Sequence, residues 1–332
     1  MRRLVTSDLQ LSKNPRDQYR LDFFVKALPE LVKKYKIDQL IICGDLTEEK
    51  DAHPAPLVNE IVNCFYQISQ SCKITILQGN HDFLHNAHPF FEFVSNFSNV
   101  KWISKPTELD NCLYLPHTRD YKQDWKNIGF TKEYNFIFAH NIFDGVKANG
   151  QKLTGIPTKI FPDTAQVISG DVHEPQELDD GKIIYVGSPL LCDFGDDYQP
   201  RVLLLDDLLI KSIKVQGVQK RLIDVTWEGS PIDIDAWKRL YSANEGDIVK
   251  IRVNLSMKDV ADWSNIRQEI EAWAIKNKWI LNTVQPIVAY EQGRQKLVNS
   301  SKKSDKEYLK TFVSRSGADD RTASVGEELM ED

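Results

Sequence analysis

The segment Ile74-Thr75-Ile76-Leu77-Gln78-Gly79-Asn80-His81-Asp82 passes from an apolar, β-branched run into a glycine followed by three polar side chains. A short apolar run of this kind is typical of a strand that is buried on both faces. The amide, imidazole and carboxylate after the glycine are metal ligands and proton-transfer groups by their chemistry. The segment therefore predicts a buried strand that delivers functional side chains at its carboxyl end.

Two earlier segments have the same organisation. The run Leu4-Val5-Thr6 leads to Asp8, and the run Gln39-Leu40-Ile41-Ile42-Cys43 leads to Gly44-Asp45. Because the carboxyl ends of parallel strands lie at one edge of a sheet, the three polar strand ends are expected to meet there.

Helical patterns lie between these strands. Apolar residues recur at helical spacing over 17–35, where Pro29 predicts a kink or a split, and again over 56–68. Strands that alternate with helices in this way indicate βαβ units and an α/β fold.

The pattern changes at about residue 100, where helical spacing becomes rare and short apolar runs follow one another. We expect these runs to form a second sheet that faces the first. Two of them lead to histidines, one to His140 and one to the segment Gly170-Asp171-Val172-His173. The strand candidates of this region are 100–102, 112–115, 136–138, 167–168, 183–186 and 202–205.

Another unit begins after residue 216. Strand patterns at 222–225 and 248–253 and helical patterns at 234–241 and 260–275 predict a small α+β domain. The chain becomes polar from residue 300, apart from a short amphipathic stretch at 308–313. The predicted boundaries are 1–216 for the α/β domain, 217–299 for the α+β domain and 300–332 for a polar tail.

The composition narrows the possible functions. The 332 residues are 41% hydrophobic and 27% charged, which is ordinary for a globular protein. No apolar run approaches the ~20 residues of a membrane helix, and five scattered cysteines without a CxxC pair favour a reducing, cytoplasmic environment. A net charge of −6 argues against binding nucleic acid through bulk charge, although it leaves open a local basic groove or bound metal ions.

The polar strand ends, taken in order, resemble the motifs of the calcineurin-like metallophosphoesterases, which read DxH, GDxxD/E, GNHD, H and GHxH. The resemblance implies a two-sheet sandwich with flanking helices, and phosphoester hydrolysis assisted by two divalent ions. By position, the first ion would be bound by Asp8 and His173, the second by Asn80 and His140, with Asp45 between them.

The same resemblance implies two catalytic residues. His81 would protonate the leaving oxygen of the substrate, and Asp82 would orient His81 from behind.

Two positions depart from the family pattern. DxH reads Asp8-Leu9-Gln10, and GHxH reads Gly170-Asp171-Val172-His173, so an amide and a carboxylate replace two imidazoles. Oxygen ligands favour Mn²⁺, with Mg²⁺ as the other candidate, over Zn²⁺. Gln10 either ligates the first ion, binds water at that ion, or marks a weakened site. The complete set of candidate metal ligands is Asp8, Gln10, Asp45, Asn80, His140, Asp171 and His173.

The segment Tyr185-Val186-Gly187-Ser188-Pro189-Leu190 resembles the Y-x-G-S-P segment of the SbcD-type DNA repair nucleases of bacteria and bacteriophages. This narrower resemblance implies an exonuclease and endonuclease subunit that acts in DNA repair and recombination. Its partners would be DNA, an SbcC-type coiled-coil ATPase and a second copy of the chain, in the cytoplasm of a bacterial or phage-infected cell. The residues at 217–299 would form a DNA-capping domain, and the stretch at 308–313 an ATPase-binding helix.

Two other functions stay open. A phosphodiesterase or phosphatase for small nucleotides would use the same motifs, although the long region after residue 216 and the Gly187-Ser188-Pro189 segment favour a nuclease. A non-catalytic scaffold would explain Gln10 and Asp171 as a degenerate site, although it gives no reason for the other motif residues to occur together.

Each of these residues alone has a simpler explanation, because an aspartate at a strand end usually caps a turn and a single histidine is usually structural. Their joint occurrence at five strand ends is what predicts a metal site. The histidines outside the motifs are expected in ordinary loops, and three tryptophans of the last domain in its core. These residues are His53, His85, His88 and His117, and Trp263, Trp273 and Trp279.

Overall fold

The computed structural model of the protein describes residues 1–85, 88–130, 132–148, 150–227 and 243–288. The predicted helix at 234–241 and the amphipathic stretch at 308–313 lie outside these ranges. Strands β1 to β17 span, in chain order, Arg2–Thr6, Gln39–Cys43, Lys73–Leu77, Val100–Ile103, Thr107–Leu109, Cys112–Leu115, Phe136–His140, Lys147–Ala148, Gln151–Lys152, Val167–Gly170, Gln176–Leu178, Ile183–Tyr185, Arg201–Asp206, Leu209–Lys214, Lys220–Thr226, Ile248–Leu255 and Ile280–Val288. Helices α1 to α5 span Gln18–Asp22, Leu28–Lys34, Ala55–Ser69, Tyr121–Asp124 and Trp263–Lys276.

The first sheet has six strands in the order β14-β13-β1-β2-β3-β4. Strands β1 to β4 run parallel, whereas β13 pairs antiparallel with β1 and β14 antiparallel with β13. The strands predicted around residues 4–6, 39–43 and 74–77 are therefore neighbours, and their carboxyl ends share one edge, as expected.

The predicted split of the first helix is confirmed. The chain forms α1, a π-helical turn at Phe23–Ala27 and then α2, with Pro29 in the first turn of α2. Proline is tolerated there because the first residues of a helix have no intrahelical partner for their N–H groups. The π-helical turn directs Phe24 onto Phe65 of α3, with ring centroids 5.3 Å apart.

The second sheet has the order β11-β12-β10-β7-β6-β5. Strands β6, β7, β10 and β12 run parallel, and β5 and β11 are antiparallel edge strands. Together the two mixed six-stranded sheets and their flanking helices form the α/β sandwich that the motifs imply.

The predicted membership of the second sheet needs one correction. The strands at 100–102 and 202–205 were expected there, but β4 and β13 belong to the first sheet. Apolar periodicity identifies a strand without identifying its neighbour. The neighbour is set by pairing, as between Leu4 of β1 and Leu204 of β13.

The core between the two sheets explains the continuous apolar runs. Val5, Ile41 and Leu77 of the first sheet pack in one cluster with Tyr114 and Phe138 of the second. The alternate residues, such as Leu4 and Leu40, are buried against the helices instead. Each such side chain contributes about 1.5–3 kcal/mol on burial, so both faces of the central strands resist displacement and hold the strand ends in place.

The third sheet has the order β15-β16-β17, and all three strands run parallel. Helix α5 packs on it through Ile266, Ile270 and Trp273. Trp273 and Trp279 are buried, with ring centroids 4.6 Å apart, and Trp263 packs at the edge of the same cluster. This confirms that these tryptophans serve the core.

Two other observations concern the cysteines and the hydrophobicity of the helices. All five cysteines are buried and unbonded to one another. Among the described residues, no helix has the length and apolar character that crossing a membrane requires.

Candidate metal centre

The backbone at the predicted ligands is unusual. Asp8, Gln10, Asp45 and Asp171 all have positive φ, of 51°, 43°, 53° and 81°. Residues other than glycine rarely adopt this left-handed conformation, which carries a cost and is concentrated at functional sites. The chain thus bends sharply after three strands, β1, β2 and β10, at the predicted ligands.

Three of the predicted ligands form the centre of the site. Asp8, Asp45 and His140 are buried, and one ligand atom of each lies within 4.8 Å of the others. The Oδ2 atom of Asp8 is buried without a hydrogen-bond partner. An unsatisfied carboxylate oxygen beside a second carboxylate and an imidazole fits a divalent cation, which would supply the missing interaction.

Glycines make room for this centre. A Cβ atom at Gly44 would lie 2.1 Å from Nδ1 of His140, and one at Gly79 would lie 2.2 Å from Oδ1 of Asp45. Side chains at these positions would displace the ligands, which explains the glycines of the GD and GNHD motifs in physical terms.

The imidazole of His140 is oriented by a hydrogen bond from its Nδ1 atom. Nδ1 lies 2.5 Å from the carbonyl oxygen of Cys43 and donates to it, so Nε2 is directed at the other candidate ligands. Nε2 lies 2.9 Å from Oδ1 of Asn80, 3.3 Å from Oδ1 of Asp45 and 3.8 Å from Oδ1 of Asp171. These oxygens share one side of the imidazole, where the second ion was expected.

The remaining two candidates, Gln10 and His173, are in contact with each other. Gln10 Nε2 lies 2.9 Å from Nε2 of His173, and the main-chain N–H of Asp171 donates to Oδ1 of Asp8 at 3.3 Å. Turning the Gln10 amide by half a rotation would present its carbonyl oxygen at this position. The structure thus brings all seven candidate ligands into one neighbourhood.

His81 and Asp82 occupy different environments. Nδ1 of His81 lies 2.8 Å from the carbonyl oxygen of Glu48, which leaves Nε2 as the nitrogen available to a substrate. The carboxylate of Asp82 accepts from the main-chain N–H groups of Gly79, Asp45 and Leu46, at 2.6, 2.9 and 2.9 Å.

The expectation that Asp82 orients His81 is therefore corrected. Asp82 is buried and ties together the two loops that carry Asp45 and Asn80, while the carbonyl of Glu48 holds the imidazole of His81. The reason is geometric. The short carboxylate of Asp82 lies close to the buried N–H groups of its own tight loop and of the neighbouring loop, and it satisfies them.

Burial and mutual charge shift the pKa values of the centre. Burial, with the charge of Asp45 adding to it, raises the pKa of Asp8 to about 6 and that of Asp82 to about 7. Burial alone would raise the pKa of Asp45 and lower that of His140, but their contact reverses both directions. Without metal, the centre therefore holds protons that a bound cation must replace.

These shifts predict a pH-dependent response to metal. The raised pKa values of Asp8 and Asp82 contribute stability to the metal-free protein below pH 3.8, and this contribution is lost as the pH rises through about 6 to 7. A cation competes directly with the proton of Asp8, and ionised Asp82 nearby adds to its attraction, so the increase in Tm caused by Mn²⁺ should be larger near pH 7.5 than near pH 5. At 100 times Kd the stabilisation is about 2.7 kcal/mol. Thermal melts with Mn²⁺ or EDTA at both pH values measure it, and an equal shift at both would contradict it.

A groove of about 890 Å³ opens above the centre. Asp8, Asp82 and His140 lie buried beneath it. The groove lining holds three cationic side chains and six acidic ones, so the positive charge that a phosphate needs would come mainly from bound metal ions. The candidate site residues that line it are Gln10, Asp45, Asn80, His81, Asp171 and His173.

Sequence reasoning missed two contributors to the site. His117, expected in an ordinary loop, follows β6 at the same sheet edge, and its ring centroid lies 6.2 Å from that of His140. A histidine after a parallel strand was the available signal. No sequence signal marks the carbonyl of Glu48, because every residue type supplies a main-chain carbonyl.

Comparison with known proteins agrees with the fold. The family model of the calcineurin-like phosphoesterases matches residues 1–205. A protein of Invertebrate iridescent virus 3 named "Putative phosphoesterase 078R" is 25% identical in an alignment of 194 residues that covers 53% of this chain and 54% of the viral protein. The chain thus spans about half the length of that relative. The crystal structure of the nuclease MPE from Pseudomonas putida is 15% identical and covers 65% of this chain and 78% of its own, with a TM-score of 0.33. That structural similarity is too low to bear on function.

The family match covers more than half of the 332 residues and includes every candidate ligand. This protein therefore belongs to the calcineurin-like phosphoesterases.

Proposed function

We propose that the protein is a metal-dependent nuclease of the SbcD type, which hydrolyses phosphodiester bonds of DNA with two divalent ions. The observation that carries the proposal is the convergence of seven candidate ligands on one groove, with His81 beside them. When bound, the ions supply positive charge to the phosphate and activate water.

The side chains around the ions have separate tasks in this proposal. Asp45 lies between the ligands of the two ions, within 3.3 Å of His140, and its Oδ1 also accepts from the main-chain N–H of His81. His81, held at Nδ1 by the Glu48 carbonyl, carries the proton for the leaving sugar oxygen on Nε2. Lys13 is exposed and lines the groove, where it attracts a phosphate that flanks the scissile bond, whereas Lys220 is paired with Asp17.

The narrower SbcD assignment is supported by the segment at 185–190. Ser188 Oγ donates to the carbonyl oxygen of Asp8 at 3.0 Å, and Ser188 N donates to that of His173 at 2.9 Å. Gly187 has φ of 79°, and a Cβ atom there would lie 2.7 Å from the carbonyl oxygen of His173. The segment thus braces two candidate ligands of the first ion. The predicted partners are DNA, an SbcC-type ATPase and a second copy of the chain.

Digestion of end-labelled duplex DNA tests the proposal. We expect labelled DNA to be shortened by the protein with Mn²⁺, and to stay intact with EDTA. Cleavage of bis-p-nitrophenyl phosphate with intact DNA would favour the small-nucleotide phosphodiesterase. Inactivity on both substrates, with metal bound, would favour the scaffold.

The ligand chemistry predicts the metal preference. Five of the seven candidate ligands offer oxygen, which favours Mn²⁺ or Mg²⁺ over Zn²⁺. We therefore expect DNA cleavage with Mn²⁺ or Mg²⁺ and none with Zn²⁺ in metal-free protein supplied with each ion. Equal or faster cleavage with Zn²⁺ would contradict this prediction.

A further inference from the structure

Arg20 is a buried cation outside the predicted site. It lies in α1, is 5% exposed and lines the groove. A guanidinium taken out of water loses its hydration, so it is stable there only with hydrogen-bond partners in good geometry. Its position in the fold is therefore determined by the groups that it contacts.

Three of those groups belong to separate loops around the candidate metal centre, and the fourth is the neighbouring Tyr19 of α1. Nη1 donates to the carbonyl oxygen of Gln10 at 3.0 Å and lies 3.3 Å from Oε2 of Glu48. Nη2 donates to the carbonyl oxygen of Cys192 at 3.1 Å, and Nε to the hydroxyl of Tyr19 at 3.1 Å. The planar guanidinium fixes the directions of these bonds relative to one another.

Asp17 attracts Arg20 and is itself paired with a second cation, Lys220. Asp17 Oδ1 lies 3.9 Å from Nη2 of Arg20 and 3.0 Å from Nζ of Lys220. Lys220 also donates to the carbonyl oxygen of Cys192 at 2.9 Å. The guanidinium is thus embedded in a network that includes the first residue of β15.

One of the three loops leads directly to the proposed acid. Arg20 pairs with the side chain of Glu48, and the main chain of the same residue accepts from Nδ1 of His81. The main chain of Gln10 is also held without Arg20, because Gln10 N donates to the carbonyl oxygen of Asp45 at 3.0 Å. Glu48 N likewise donates to the carbonyl oxygen of Leu11 at 3.1 Å, so loss of Arg20 leaves both loops paired and removes the side-chain contact that fixes Glu48.

We propose that Arg20 is a positioning residue that holds Glu48, and through its carbonyl the imidazole of His81, in line with the leaving oxygen of the substrate. This inference rests on the proposed function. It assigns to Arg20 an effect on protonation of the leaving group and none on metal binding.

The test compares two leaving groups. The sugar oxygen of DNA needs a proton to depart, whereas p-nitrophenolate departs without one. We expect Arg20→Gln to lower the rate of DNA cleavage about 10²-fold, as for a small misplacement of a catalytic group. Its rate on bis-p-nitrophenyl phosphate and its Mn²⁺ affinity should stay within about twofold of wild type. Arg20→Lys should recover part of the DNA rate, and Arg16→Gln, an exposed arginine two residues before α1, should match wild type.

Double variants complete the test. With His81 already replaced by alanine, Arg20→Gln should cause no further loss on DNA, because the group that it positions is gone. Equal losses on both substrates, weaker Mn²⁺ binding, or an additive double variant would overturn the proposal. If Arg20→Gln does not fold, Glu48→Ala removes the same contact and should show the same difference between substrates. If His81→Ala itself shows no such difference, the acid assignment of the proposed function fails instead.

Discussion

The Asp45→Asn protein loses DNA cleavage by roughly 10³-fold or more, because one carboxylate serves both proposed ions. Asp45 Oδ1 lies 3.3 Å from Nε2 of His140, and the residue is buried at the centre of the ligand set. A neutral amide at this position removes charge stabilisation of about 4 kcal/mol, which corresponds to the stated change in rate. The substitution keeps the shape of the side chain, so the lower cleavage rate measures the effect of removing the negative charge of Asp45.

Single-turnover cleavage of labelled DNA and isothermal titration with Mn²⁺ measure this effect together. Bound metal should fall below two ions per chain while the secondary structure stays unchanged. Asp22→Asn, an isosteric change at a partly exposed aspartate of α1, is the matched control and should behave as wild type. Full activity of Asp45→Asn would show that Asp45 does not bridge two ions.

The His81→Ala protein keeps its metal and loses about 10²–10⁴-fold in DNA cleavage, the range typical of a general acid. His81 contacts the site through its main-chain N–H, which donates to Asp45, and alanine preserves that bond. Only the imidazole, held by the Glu48 carbonyl, is lost. The expected result is therefore a slow chemical step with unchanged Mn²⁺ binding.

Rates under single-turnover conditions and the Mn²⁺ content of the same sample check this expectation. His85→Ala, a histidine four residues later in an exposed position, is the matched control and should retain activity. A fully active His81→Ala protein would remove the acid assignment, and loss of metal would indicate that His81 is a ligand.

The strand ends could be predicted from the sequence because each central strand is buried on both faces. Such strands appear in the sequence as unbroken apolar runs, so polar residues within three positions after each run mark the sheet edge, as at Asp8, Asp45 and Asn80. Pairing partners leave no comparable mark, which is why β4 and β13 were assigned to the wrong sheet.

The geometry of the centre could not be predicted in the same way. The left-handed backbone of Gln10 results from the surrounding structure and contradicts the local preference of glutamine. The partners of Asp82 are main-chain groups, which every residue type supplies. Arg20 donates a hydrogen bond to the carbonyl oxygen of Cys192, which is 172 residues away in the chain. No local sequence pattern predicts a contact between residues so far apart.

Residues from five strand ends are proposed to hold two cations in one place. Diffraction from crystals soaked in Mn²⁺, recorded at the manganese absorption edge, tests this most directly. We expect two anomalous peaks, one beside Asn80 and His140 and one beside Asp8 and His173, with Asp45 in contact with both. A centre without peaks, or peaks that contact none of these side chains, would contradict it.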